Sequence, residues 1–274
     1  MDVPKQNAPP ASNAPPILEV IDVTKRFGGV TAVKSADLKL QQGKVTSLIG
    51  PNGAGKTTLF NAVTGAIPAT EGRIVFRSER GEKDIQSLRP DQITRLGVAR
   101  TFQNIRLFSN LTVLDNVKIG FHPRTKGRLA GAIFRPPHTL REERSIECAA
   151  VQALEFCGLA GLEDEEADSL PYGHQRRLEI ARALATGPKL LLLDEPAAGM
   201  NPSESRELLE LIRQILARGI TIFLIEHDMR VVMNISDHIY VLDHGDVIAQ
   251  GVPAEIQNNP RVIEAYLGRE AVHK

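Results

Sequence analysis

Gly50-Pro51-Asn52-Gly53-Ala54-Gly55-Lys56-Thr57, followed by Thr58, satisfies G-x-x-x-x-G-K-[ST] at every fixed position. Residue types at this spacing suit a polyphosphate. Glycines let the backbone curl until successive N–H groups point inward at phosphate oxygens. A helix that starts at the end of the loop adds unpaired donors and the positive end of its dipole. Lys56 is placed for the β- and γ-phosphates, and the Thr57 hydroxyl for Mg²⁺. Alone, this pattern says only that a nucleoside triphosphate is bound. Leu190-Leu191-Leu192-Leu193-Asp194-Glu195 sharpens it. The apolar run makes a buried strand and delivers Asp194 to its C-terminal end, where open α/β sheets bind ligands. There Asp194 can hold Mg²⁺, and Glu195 can orient or deprotonate an attacking water.

The elements around these residues fit that use. Val45–Ile49 reads as a buried strand that runs straight into the glycines, and Thr57–Thr64 as the helix after them. Ile17–Val23, Ala36–Leu40 and Gly72–Arg77 read as further strands, the last followed by a polar loop. From about Val98 to Leu170 the pattern is mostly helical and irregular, with a basic, Pro- and Gly-containing segment, Phe121–Arg144. Arg176–Ala185 is helical. Asn201-Pro202 opens another helix, Asn suited to the cap and Pro to the first helical position. On it Leu208, Leu211, Ile212, Ile215 and Leu216 share a face. Ile220–Ile225 is a buried strand, and Ile239–Leu242 and Val247–Ala249 flank a hairpin turn, Asp243–Asp246. Strand–helix alternation in both halves predicts an α/β core with a mostly parallel sheet, and antiparallel pieces near the N-terminus and late in the chain. The sequence contains no internal repeat.

The 274 residues suffice for one large domain or two small ones. Thirty-three basic residues balance 33 acidic ones, which argues against a broad basic field and a nucleic-acid partner. No apolar run is long enough to cross a bilayer. The opening MDVPKQNAPPASNAPP has no apolar signal core and reads as a disordered tail over 1–16. Cys148 and Cys157 form no metal-ligand pattern and no disulfide framework. The expectation is a globular protein of the cytosol.

From Ile17 to about Gly268 the chain resembles the ATP-binding subunit of an ATP-binding-cassette (ABC) transporter. The resemblance rests on the two phosphate motifs and on further segments in the same order. Arg100-Thr101-Phe102-Gln103 resembles the family's Q-loop, which makes Gln103 a candidate for Mg²⁺ and water contact and for sensing a transmembrane partner. Leu170-Pro171-Tyr172-Gly173-His174-Gln175 resembles its signature, with a helix beginning near Gln175. Pro171 and His174 depart from the usual L-S-G-G-Q, and proline has neither hydroxyl nor N–H to offer. Ala197-Ala198-Gly199-Met200-Asn201 resembles the D-loop, and Ile225-Glu226-His227-Asp228 the switch segment, in which His227 would contact the γ-phosphate. Phe27 stands where the family stacks an aromatic residue on adenine.

This resemblance implies a P-loop NTPase core with a mostly parallel sheet, an antiparallel β subdomain and an inserted α-helical subdomain. The expected bounds are one nucleotide-binding domain over 17–268, its helical part about 98–170, and a C-terminal tail over 269–274. It further implies ATP and Mg²⁺ as cofactors, and Lys56, Gln103, Glu195 and His227 as the catalytic set. Its partners would be a second ATPase subunit (the same or a sister chain), which exchanges signature loops with this one, and two transmembrane permease subunits. An external solute-binding protein would act indirectly, and the chain would sit at the cytoplasmic face of the inner membrane. Within the family, Phe27-Gly28-Gly29 after Lys25-Arg26, Tyr172-Gly173, Asp194–Pro202 and Glu264-Ala265-Tyr266-Leu267-Gly268 resemble the ATPase subunits of branched-chain amino-acid importers. Importers for urea or other amides and a lipopolysaccharide exporter share parts of the pattern. A non-transport ATPase of the same superfamily is the reading from a different class.

Overall fold

The computed structural model describes residues 15–79, 81–124 and 137–270. The expected N-terminal tail up to residue 14, residues 125–136 of the basic segment and residues 271–274 lie outside them.

Among the described residues the strands form two sheets. The first is antiparallel, in the order β2-β1-β4-β5, from β1 (Leu18–Phe27), β2 (Val30–Leu40), β4 (Glu71–Ser78) and β5 (Gly81–Asp84). The second runs β10-β9-β3-β8-β7-β6. Its members are β3 (Val45–Ile49), β6 (Val98–Arg100), β7 (Leu190–Asp194), β8 (Thr221–Ile225), β9 (His238–Asp243) and β10 (Asp246–Gly251). All its neighbours are parallel except β9 and β10, the expected hairpin. The hairpin turn places His244 and Gly245 at φ 46° and 87°, the doubly left-handed geometry that closes a tight hairpin.

The central strands are buried on both faces, and their alternation sorts side chains into two cores. Leu190, Leu192, Phe223 and Ile225 face a core shared with the antiparallel sheet, with α1 (Lys56–Val63) and with Ile93 of α2 (Pro90–Leu96). Phe223 meets Phe60 of α1 there, ring centroids 4.6 Å apart. Leu191, Leu193, Ile222 and Leu224 face a second core, closed by α3 (Val113–Gly120), α4 (Pro137–Phe156), α5 (Tyr172–Ala185) and α6 (Pro202–Ala217). A smaller third cluster joins Ile49 to α7 (Met229–Ile235), α8 (Pro253–Gln257) and α9 (Pro260–Glu270).

Several elements differ from the sequence reading. The polar loop after β4 is in part the strand β5, whose four residues are all exposed and which is held by backbone pairing to β4. The stretch read as helical from Val98 begins with β6, paired to Leu190–Leu192 of β7. The signature helix begins at Tyr172, not near Gln175, because Pro171 in an extended conformation (φ −54°, ψ 150°) supplies its N-cap position. Leu216 is half-buried, while Leu208, Leu211, Ile212 and Ile215 are buried. Asn201 caps α6 as read: its side chain accepts the Ser203 and Glu204 N–H groups, and Glu204 accepts the Asn201 N–H in return.

Candidate functional site

The parallel sheet delivers four motifs to one edge. β3 ends at Ile49 beside Val241, and its register sets Leu48 against Ile225, which pairs with Asp194. Thr101 N–H continues the β6 ladder onto Leu192 O at 2.9 Å. The phosphate loop, Asp194-Glu195, Glu226-His227 and the segment Thr101–Gln103 therefore follow strands that all end on the same side.

Two of the loop glycines, Gly50 and Gly55, are fixed by their surroundings. Gly55 has φ 106°, and a Cβ there would lie 2.2 Å from Ala32 O. A Cβ on Gly50 would lie 1.9 Å from Leu242 O. Only glycine accepts such approaches together with a left-handed backbone. Lys56 is buried and its ammonium arches back over the loop, donating to Gly50 O at 2.7 Å and Pro51 O at 3.0 Å. Thr57 is exposed and Thr58 half-exposed at the start of α1, with Asn52 and Gly53 exposed on the loop and Pro51 and Ala54 buried beneath. A strand-to-helix loop with a cationic tip and unshared helix-start amides has the donor set for a triphosphate. The Thr57 hydroxyl, the Asp194 carboxylate and the Gln103 amide oxygen are the hard oxygen ligands that Mg²⁺ takes.

Asp194 is buried and its Oδ2 accepts from Arg100 Nη2 at 2.7 Å. Glu195 has φ 45°, a conformation that costs a non-glycine residue on the order of 1–3 kcal/mol. Its N–H donates to Ile225 O at 2.9 Å, so the strained residue still continues the ladder onto β8. Glu195 Oε2 accepts from Gln103 Nε2 at 2.9 Å and lies 3.7 Å from His227 Nδ1. The structure thus brings Gln103, Glu195 and His227 together, each from a different strand end.

Phe27 stands apart from this cluster, at the end of β1. It is half-exposed, with Lys25 Nζ 4.9 Å from its ring centroid. The signature residues lie on the side of the second core. Pro171 and Tyr172 are exposed, Gly173 is buried, and His174 and Gln175 are half-buried. Gln175 Nε2 donates to Leu170 O at 2.9 Å. Tyr172 lies against the D-loop, its ring 3.5 Å from where a Cβ of Gly199 would stand, and a Cβ on Gly173 would meet Glu204 Oε1 at 2.9 Å.

The sequence reading gave no job to Arg100, Arg176, Glu179 or Glu226. Arg176 and Glu179 are a fully buried pair on α5 that grips the Q-loop backbone. Arg176 donates to Phe102 O at 2.6 Å and Gln103 O at 2.8 Å, while Glu179 Oε1 accepts from Phe102 N–H at 3.2 Å. Burial pushes the Glu179 carboxyl up, and the Arg176 charge and the Phe102 and Arg106 amides pull against it. Glu226 is likewise raised by burial, opposed by the amides of Ala197, His227 and Asp228. The signal open to sequence reading was adjacency: Arg100 directly precedes the Q-loop, and Glu226 directly precedes His227. Cys157 is buried and its thiol is pushed up to about 12, away from any reactive range.

Residues 33–198 match the family described as ABC transporter, and residues 247–272 match the family described as branched-chain amino acid ATP-binding cassette transporter. The chain is 47% identical over 254 residues to the high-affinity branched-chain amino acid transport ATP-binding protein LivG of Salmonella typhimurium, covering 92% of this chain and 98% of that one. It is 46% identical to the corresponding protein BraF of Pseudomonas aeruginosa, with the same coverage. The crystal structure of the ADP conformation of an ATP-binding cassette of an ABC transporter superposes with a TM-score of 0.79 at 36% identity, covering 92% of this chain and 98% of that one.

Proposed function

The chain belongs to the ABC transporter family of ATP-binding cassettes, and from that premise we propose that it is the ATP-hydrolysing subunit that drives import of branched-chain amino acids. The observation that carries the substrate class is similarity over 92% of the chain to transport ATPases of that name, continued into the C-terminal segment 247–272.

The chemistry is phosphoryl transfer to water, in which the protein positions groups and stabilises charge. Lys56, released from its loop carbonyls, meets the β- and γ-phosphates, and residues 50–58, Pro51 apart, wrap them with backbone amides. Thr57, Asp194 and Gln103 would hold Mg²⁺, which would supply further positive charge at the phosphates. Glu195 Oε2 takes the proton of the attacking water while Gln103 holds that carboxylate in place. His227 faces the γ-phosphate, and Phe27 stacks on the adenine. Tyr172 lies beside the D-loop and Gly173 beside Glu204 of α6, and Pro171 and Tyr172 at the start of the signature helix are exposed. In this reading residues 171–175 serve the ATP of a second cassette, sister or identical, and that cassette's signature serves this one. Two permease subunits dock near Gln103 at the cytoplasmic face of the membrane, and an external binding protein feeds them.

Uptake of labelled leucine by cells carrying the parent chain or Glu195→Gln tests this. Loss of uptake in the mutant, with competition by isoleucine and valine in the parent, is the expected result. Unchanged uptake after removal of redundant leucine carriers discards leucine and turns attention to other amino acids, urea-like amides and lipid export.

A further inference from the structure

Glu226 belongs to none of the steps above, yet it sits where two of the loops meet. Its side chain is 1% exposed. Oε1 accepts the Ala197 N–H at 2.9 Å; Oε2 accepts the His227 N–H at 3.2 Å and lies 3.9 Å from His227 Nδ1. A buried carboxyl is expensive compared with an apolar residue of the same volume. What an apolar side chain cannot do is hold two backbone segments at once. One oxygen is committed to the D-loop and the other to the switch histidine.

The neighbours of His227 make this bridge consequential. The imidazole is mostly exposed, and its Nδ1 lies 3.7 Å from Glu195 and 3.9 Å from Glu226, beyond hydrogen-bond distance of either. Its placement is therefore set through its backbone, which Glu226 anchors. Ala197, on the other side of the bridge, opens the turn that carries Gly199 past Tyr172 and ends at the Asn201 cap. A displacement of that turn either breaks the Ala197 contact or draws Glu226, and with it His227, along.

We propose that Glu226 is the positioning residue that, by holding the Ala197–Met200 turn and the switch segment together, sets His227 for the γ-phosphate. This rests on the reading of His227 given above. Glu226→Gln is isosteric: its amide oxygen still accepts from Ala197, but its NH₂ faces the His227 N–H and cannot accept from it.

The test is steady-state ATP turnover of the full chain as parent, Glu226→Gln, His227→Ala and the double variant. Misplacement of a catalytic group by about 1 Å can cost on the order of 100-fold. Glu226→Gln is therefore expected to lower kcat about 10- to 100-fold while KM for ATP stays within about twofold. In the His227→Ala background it should lower the residual rate by less than about twofold, because both changes act on one group. Parental kcat in Glu226→Gln, a raised KM with kcat intact, or a full further loss in the double variant would overturn the proposal. Parental turnover in His227→Ala would instead remove the site reading on which it rests. Should Glu226→Gln fail to bind a fluorescent ATP analogue, Glu226→Asp decides. It keeps the carboxylate but is one methylene too short to span both amides, and must show the same kcat loss at unchanged KM.

Discussion

Arg100 Nη2 donates to Asp194 Oδ2 at 2.7 Å, and the same guanidinium donates from Nη1 to Asn61 Oδ1 at 2.5 Å on the helix that follows the phosphate loop. It also packs 5.1 Å from the Phe102 ring centroid. The carboxylate at the end of β7, the helix after the phosphate loop and the Q-loop thus share one cation, with the Arg100 side chain 9% and the Asp194 side chain 2% exposed.

Removing that cation leaves a buried charge unpaired. Arg100→Met is expected to destabilise the nucleotide-free protein by about 3–5 kcal/mol, read from urea unfolding. Adding Asp194→Asn should recover most of the loss, since no lone buried charge then remains. Equal and additive losses in the two single variants would show that the pair is not coupled.

Glu195 is the proposed base. Base catalysis contributes about 10²- to 10⁴-fold, or roughly 3–5 kcal/mol of barrier. Glu195→Gln should lose that much turnover while binding ATP with parental affinity, measured by nucleotide titration beside a phosphate-release assay. Turnover within a factor of two of the parent would reject the assignment.

The glycines of the phosphate loop should respond unequally to alanine. Gly53 has φ 80° with open space around a Cβ, so Gly53→Ala bears only the left-handed backbone cost of about 1–2 kcal/mol. Gly55→Ala bears the same cost and also drives a methyl group into Ala32 O, 2.2 Å away. Thermal unfolding should fall further for Gly55→Ala than for Gly53→Ala, and ATP affinity should fall with it. Equal shifts would mean that the loop relaxes freely away from Ala32.

Burial raises the Glu226 and Glu179 carboxyls above the usual glutamate range. The unfolded chain releases these protons near the ordinary value of about 4.3, while the folded chain still holds them. Between that pH and the raised values the unfolded state binds fewer protons, so stability falls as pH rises through the window. Glu226→Gln removes one contributor. Its stability relative to the parent should improve from the acid side of the window to the neutral side, measured by urea unfolding at stepped pH. A difference independent of pH would contradict the raised Glu226 carboxyl.

Residues that report their own environment made the fold readable. Leu190–Leu193 could only be a strand buried on both faces, and the glycine pattern after Val45–Ile49 fixed the phosphate loop between strand and helix. Asn201-Pro202 announced its helix through cap chemistry that depends on local sequence alone. Gly81–Asp84 carries four exposed residues, three of them charged, and its strand exists through pairing with β4, which no local pattern encodes. The same limit hid the work of Arg100, Arg176, Glu179 and Glu226. Their partners lie 94, 73, 77 and 29 positions away, and only the folded chain makes them neighbours.

The strand order also governs when this protein can fold. The phosphate-loop strand Val45–Ile49 is made early, yet both its neighbours, Thr221–Ile225 and His238–Asp243, come from the last quarter of the chain. Val45 N–H itself donates to the Asp237 carboxylate, 192 positions on. At about 5–20 residues per second of synthesis, that strand waits on the order of ten seconds or more without its partners. The nucleotide pocket is thus among the last features a nascent chain can complete. A message cut short before β9 yields a polypeptide with an intact phosphate-loop sequence whose strand lacks one of its two flanking neighbours.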